Sequence, residues 1–272
     1  MTDPVVLRRD RDVLAVRGPD AEAYLQGQLS QDVAALAEGD SAWTFVLQPA
    51  GKVDAWLRIT CRSAGHFLLD VDGGYGGALL DRLRRFLLRT DCTVEPLDWQ
   101  AATLWGTTEG EAPAGGVAIP LDWEGVEALD LLGPEVAREA ATDDWEPLRL
   151  AVGIPAMGSE IDGDTIPGAT GLVGRSASFT KGCYTGQELV ARVDSRAAGT
   201  PTHLVRVRGE GARPAAGDAI SAGGDEIGHL TSVATLGDGF VALGWRRRAA
   251  ADVDVAEVEG PAGPVAVHLT PV

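Results

Sequence analysis

Beyond Gly199-Thr200-Pro201 the chain breaks into short, alternating apolar runs, and no other feature limits the fold as tightly. Residues 203–208, 226–234, 240–245, 253–258 and 265–269 each have strand length, and Gly, Pro or Asp separates them. Five such strands with no helix between them predict a small barrel or sandwich. A boundary near residue 200 follows, with one region over 1–199 and a C-terminal β-barrel over 200–272.

The longer region reads differently. Residues 13–17 form a strand that Gly18-Pro19-Asp20 stops, and apolar positions at helical spacing predict a helix over 21–29. Trp43, Phe45 and Leu47 alternate with small or polar neighbours, as do Val53, Ala55, Leu57 and Ile59. Gln48-Pro49-Ala50-Gly51-Lys52 lies between them, so the two runs predict a β-hairpin. A strand over 66–71, a glycine-rich break at 73–77 and an amphipathic helix over 78–88 come next. Strand-like pieces recur near 92–97, 101–106 and 126–132, and helical pieces near 134–141 and 144–152. Helices and strands mix without regular βαβ alternation, which predicts an α+β fold, and no internal repeat is visible.

Charge narrows the function. A net charge of −17 is unsuited to stable nucleic-acid binding, which needs clustered cations. Residues 171–200 run against that trend, with Arg175, Lys181, Arg192 and Arg196 against Glu188 and Asp194. A local basic segment in an acidic chain suits a small anion. Of 23 basic residues only Lys52 and Lys181 are lysines, so a need for a compact, movable ammonium is the functional reading of those two. Three cysteines with no Cys-x-x-Cys pair predict no disulfide framework. Apolar runs fall short of a membrane span, and Met1-Thr2-Asp3-Pro4 is unlike a signal peptide. A cytoplasmic monomer is expected.

Familiar enzyme signatures fail on spacing. The glycines at 73–77 do not complete Gly-x-Gly-x-x-Gly, and Gly51-Lys52 lacks the rest of a phosphate loop. No Gly-x-Ser-x-Gly elbow occurs. His66, His203, His229 and His268 are dispersed, and three scattered cysteines make a poor cluster ligand set, so no metal site is expected. The segment Lys181-Gly182-Cys183-Tyr184-Thr185-Gly186-Gln187-Glu188 stands apart. Thr185-Gly186-Gln187-Glu188 fits a capping box, predicting a helix from about Gly186 with Thr185 as N-cap. On that helix Glu188 and Arg192 are spaced for an ion pair. Cys183 lies just before the helix start and near Lys181, two features that favour a thiolate. Gly182 and Gly186 permit close backbone approach or positive φ. Cys61 and Cys92 occupy strand positions, as inert buried cysteines do.

These residues, continued by Leu189-Val190-Ala191-Arg192, resemble the signature of the YgfZ family, relatives of the T-protein of the glycine cleavage system. Agreement extends to Arg149-Leu150-Ala151-Val152-Gly153-Ile154-Pro155, Gly158-Ser159-Glu160 and Thr165-Ile166-Pro167-Gly168-Ala169-Thr170. Residues 23–32, 227–232 and 242–244 are similar too. The resemblance implies a three-lobed, ring-like fold that binds tetrahydrofolate and supports iron–sulfur client enzymes, including radical enzymes that modify tRNA. It implies Cys183 as the reactive residue. It also implies Lys181, Gly182, Tyr184, Gly186, Gln187, Glu188, Arg192 and Asp54 as the folate-binding set, with Lys181 or Arg192 on the acidic tail. Two departures separate the chain from a true aminomethyltransferase. Val53-Asp54-Ala55 holds one carboxylate where the T-protein has two, and Ala169 stands where it has a glutamate for the pterin. Alternatives are an aminomethyltransferase, a folate-independent cysteine enzyme and a non-catalytic scaffold.

Overall fold

A computed structural model describes residues 4–136, 142, 144–194, 199–261 and 263–272. The chain divides into two compact units, each discontinuous in sequence. The first holds Met1–Val46, Ala55–Trp145 and Ser176–Thr185, and the second holds Leu47–Asp54, Glu146–Arg175 and Gly186–Val272.

The first half of the chain begins with β1 (Val5–Arg9), β2 (Arg11–Arg17) and α1 (Ala21–Gln28). The hairpin strands β3 (Ser41–Leu47) and β4 (Val53–Ser63) follow, then β5 (His66–Asp72) and α2 (Gly76–Arg84). The remaining strands are β6 (Thr93–Leu97), β7 (Gln100–Trp105), β8 (Val117–Pro120) and β9 (Ala128–Gly133). They build a four-stranded sheet in the order β1-β7-β9-β8 and a five-stranded sheet in the order β3-β4-β5-β2-β6. Val13, Ala15 and Leu68 of the second sheet pack on Ala101, Ile119 and Leu132 of the first. Beside this apolar layer lies a charged one. Asp70 accepts from Arg11 and Arg58, Arg11 also meets Asp72 at 2.7 Å, and Arg58 lies 2.9 Å from Asp130. Thr103 donates to Asp130 and accepts from Arg9, whose guanidinium stacks over Trp145. Three arginines and three aspartates on five strands pair with one another, as buried charge requires.

The other helices are α3 (Trp145–Val152), α4 (Val173–Ser176) and α5 (Gln187–Asp194). In the second unit β10 (Thr202–Glu210), β11 (Ala219–Ala222), β12 (Asp225–Leu236), β13 (Gly239–Arg247), β14 (Val255–Gly260) and β15 (Gly263–Pro271) close into a barrel. Pairing of β10 with β15 completes the ring of strands, and Val205, Val207, Ile220, Leu230, Phe240, Val258, Val267 and Leu269 fill it. Outside the barrel, Arg149 of α3 reaches the buried Glu160 at 3.0 Å. The Glu160 carboxylate also accepts from Ala156 N–H, Thr231 Oγ1 and Ser232 Oγ, which ties α3 and the loop after it to β12.

The α+β class and the closed C-terminal barrel agree with the sequence reading, with one strand more than the pattern revealed. That strand, β11, is four residues long with Ile220 as its single large apolar residue, so pairing rather than periodicity defines it. The helix expected over 78–88 ends at Arg84 instead, and beyond it Phe86 and Leu88 are exposed. The helical piece near 134–141 falls largely outside the described residues.

Candidate functional site

The signature segment is pinned within the first unit by hydrogen bonds to the end of α1. A helix leaves its last four carbonyls without intrahelical partners, and here an ammonium meets one of them, Gln26 O, together with two carbonyls of the exit that follows. Lys181 Nζ donates to Gln26 O at 2.7 Å, to Leu29 O at 2.8 Å and to Gln31 O at 2.8 Å. Three donors on one small tetrahedral head meet three converging carbonyls, which a planar guanidinium cannot do. The same nitrogen lies 5.2 Å from the centroid of the buried Tyr184 ring. Burial pulls the Lys181 pKa down to about 8, and Asp32 acts in the opposite direction. Upstream, Trp56 Nε1 donates to Ser176 Oγ and Ser30 Oγ donates to Ser176 O. Ser178 N–H meets Ser30 O, and downstream Thr185 N–H meets Gly27 O.

Gly182 and Cys183 are exposed between these anchors. A side chain built on Gly182 would meet nothing within 4 Å. Cys61 is buried and Cys92 half-buried, and burial pushes both thiol pKa values up. So Lys181 supports the segment that displays Cys183, while its own three protons are committed to backbone.

Gly186 starts the second unit's share of the signature. Its φ of 81° lies in the left-handed region, so the helix begins one residue later than the capping box required, at Gln187. Gly186 is thus the cap, Glu188 sits at the second helical position, and the reciprocal Thr185–Glu188 box does not apply. A Cβ at Gly186 would stand 2.6 Å from Gln48 O and 2.8 Å from Leu47 Cβ. Its close approach is to the hairpin loop. Gly51, itself at φ 84°, would place a Cβ 2.3 Å from Leu189 Cβ. Gln48 Nε2 donates to Gly163 O, Val53 N–H to Thr165 O, and Lys52 Nζ meets Asp164 at 2.6 Å. Asp54, the second residue of β4, follows this loop and is half-buried. On α5 Gln187 is half-buried, while Glu188 and Arg192 are exposed.

A cavity of about 340 Å³ opens in the second unit around Ala169, between Asp162, Asp164, His229 and Trp245. Asp162 Oδ1 accepts from Asp164 N–H and Thr165 Oγ1. The Arg149–Glu160 pair beside it was not singled out from sequence. The available signal was an arginine in an otherwise apolar stretch of α3. Among the described residues no group of three or more His, Cys, Asp or Glu could hold a metal ion. No described helix is long and apolar enough to cross a membrane.

The crystal structure of glycine cleavage system aminomethyltransferase T from Bartonella henselae matches the whole chain and 86% of that protein. The TM-score is 0.83 at 20% identity, so the fold is that of the T-proteins. No family model matches the sequence. An uncharacterized protein of Haemophilus influenzae is 32% identical over 188 residues, which is 68% of this chain and 67% of that one. Proteins named tRNA-modifying protein YgfZ from Enterobacter sp. and Pectobacterium carotovorum are each 29% identical, over 219 and 229 residues. Those matches cover 70% and 72% of this chain, and 67% and 68% of the relatives. The chain belongs to the YgfZ family, within the T-protein fold.

Proposed function

We propose that this protein binds a reduced folate and, through Cys183, supports iron–sulfur enzymes that include modifiers of tRNA. The observation that carries the reading is the presentation of Cys183. It is the exposed thiol of the three, on a segment held by the Lys181 clamp before it and by the Gly186 contact with the hairpin loop after it. The relatives' name, tRNA-modifying protein, and the aminomethyltransferase fold support the same direction.

The second unit has a place that fits a pterin. The cavity around Ala169 lies near the low end of the roughly 300–1,000 Å³ common for ligand sites, enough for a bicyclic ring but not a whole folate. Trp245 offers a flat face, and Asp162 is an acceptor for ring N–H donors. Tetrahydrofolate supplies one-carbon or reducing chemistry when bound. The chain's own part is to exclude water from one end of the ring and to present a nucleophilic sulfur. Glycine-cleavage turnover is not expected. Ala55 and Ala169 are buried methyl groups that accept no hydrogen bond, and Asp54 remains as the single carboxylate of the hairpin.

Calorimetry with tetrahydrofolate tests the binding. One saturable site per chain is expected, with a dissociation constant of about micromolar order. Asp162→Ala should weaken it roughly tenfold, as loss of a hydrogen bond to a buried donor does. No heat at millimolar ligand would remove the folate reading and leave a scaffold. In cells lacking the native protein, Cys183→Ala should accumulate normally yet fail to restore iron–sulfur enzyme activity.

A further inference from the structure

The barrel carries a second concave site that the folate reading does not use. A cavity of about 290 Å³ lies between α3 and the outer face of β10 and β15. Arg206 and Arg208 stand on β10, and the antiparallel register sets Thr270 opposite Arg206 and His268 opposite Arg208. Four donor side chains therefore occupy one patch of two neighbouring strands. Leu150 and Ala151 of α3, with Val241, give it an apolar wall.

The charge of this patch is uncompensated. The chain has 40 acidic residues against 23 basic ones, yet no carboxylate lines the cavity. Glu210, the next outward residue of β10, lies outside the lining. Arg206 Nε donates to Pro271 O at 3.2 Å, which leaves both terminal nitrogens of its guanidinium for another acceptor. Arg208 and His268 are exposed, and among the described residues neither side chain has a hydrogen bond or an ion pair. Basic groups placed directly across a strand pair repel when both are charged. A protein rich in carboxylates could have relieved this with one of its own. An open cationic cleft on an acidic surface also concentrates anions at its mouth.

We propose that this groove binds a small phosphorylated anion. Two guanidinium groups, an imidazole and a hydroxyl match the several acceptor oxygens of a tetrahedral phosphate better than the two of a carboxylate. The room left beside the apolar wall of α3 takes a short carbon body attached to the phosphate.

The test is NMR of the His268 ring resonances in the full chain during titration with inorganic phosphate or glycerol 3-phosphate, against a chloride control of equal ionic strength. A saturable His268 shift is expected below about 10 mM of either probe. Tighter binding of glycerol 3-phosphate identifies a phosphorylated metabolite as the occupant, and equal binding identifies free phosphate. Arg208→Gln should weaken binding roughly tenfold, the loss of one charge-assisted contact, with circular dichroism and melting temperature unchanged. A His268 shift no larger than the chloride control, or equal affinity in Arg208→Gln, overturns the proposal.

Discussion

At the scale of single residues, the two lysines of an arginine-rich chain were conspicuous in the sequence, but the use of Lys181 was not. Its partners, the carbonyls of Gln26, Leu29 and Gln31, lie 150 to 155 residues away in sequence, and no local pattern signals a contact of that range. The clamp makes Lys181 a stability residue. Lys181→Met should cost about 1–3 kcal/mol by leaving three carbonyls without their donor. Lys181→Arg should recover little of it, because a flat fork cannot meet three converging oxygens. Thermal denaturation of both variants checks this, and an unchanged melting temperature for Lys181→Arg would contradict it. Two residues on, Cys183 is exposed where Cys61 is buried and Cys92 half-buried. Alkylation followed by mass spectrometry at neutral pH should modify Cys183 first, since burial raises the pKa of both other thiols. Earlier labelling of either would return Cys183 to a structural role.

Elements were easier to read than their ends and junctions. The hairpin, the helix after residue 185 and the barrel strands follow from apolar periodicity. The cap of α5 was misplaced by one residue because Thr185-Gly186-Gln187-Glu188 satisfies the capping-box pattern locally. Tertiary contact with the hairpin loop overrides it by holding Gly186 left-handed. This junction separates the two glycines of the signature. Gly186→Ala combines an unfavourable φ with a collision against Gln48 O, and should destabilise by about 2–4 kcal/mol. Gly182→Ala enters open space and should stay within about 0.5 kcal/mol of the parent. Denaturant melts of the two variants side by side measure the difference. Equal effects would mean that the loop yields to the added methyl group.

On the scale of the whole molecule, the charged layer of the first unit sets an acid limit. Burial alone would raise the pKa of Asp70, but Arg58 and Arg11 hold it below the usual carboxylate range. In the unfolded chain the same group takes up its proton near pH 4. Below that point the unfolded state binds more protons, so the contribution of Asp70 is whole above about pH 4 and is lost as pH falls through its folded-state value. Melting temperature should therefore be flat near neutrality and drop steeply below about pH 4, with a shallower acid limb in Asp70→Asn. Identical limbs would show that other carboxylates govern acid unfolding. The interleaving of the two units bears on synthesis. Leu47–Asp54 emerges from the ribosome well before its partners Gly163, Thr165, Gly186 and Leu189. At roughly 5–20 residues per second, the nascent loop stays hydrated for on the order of ten seconds before the clasp can form. Ser176–Thr185 arrives similarly late for the first unit, so any chain released before this stretch leaves both units incomplete.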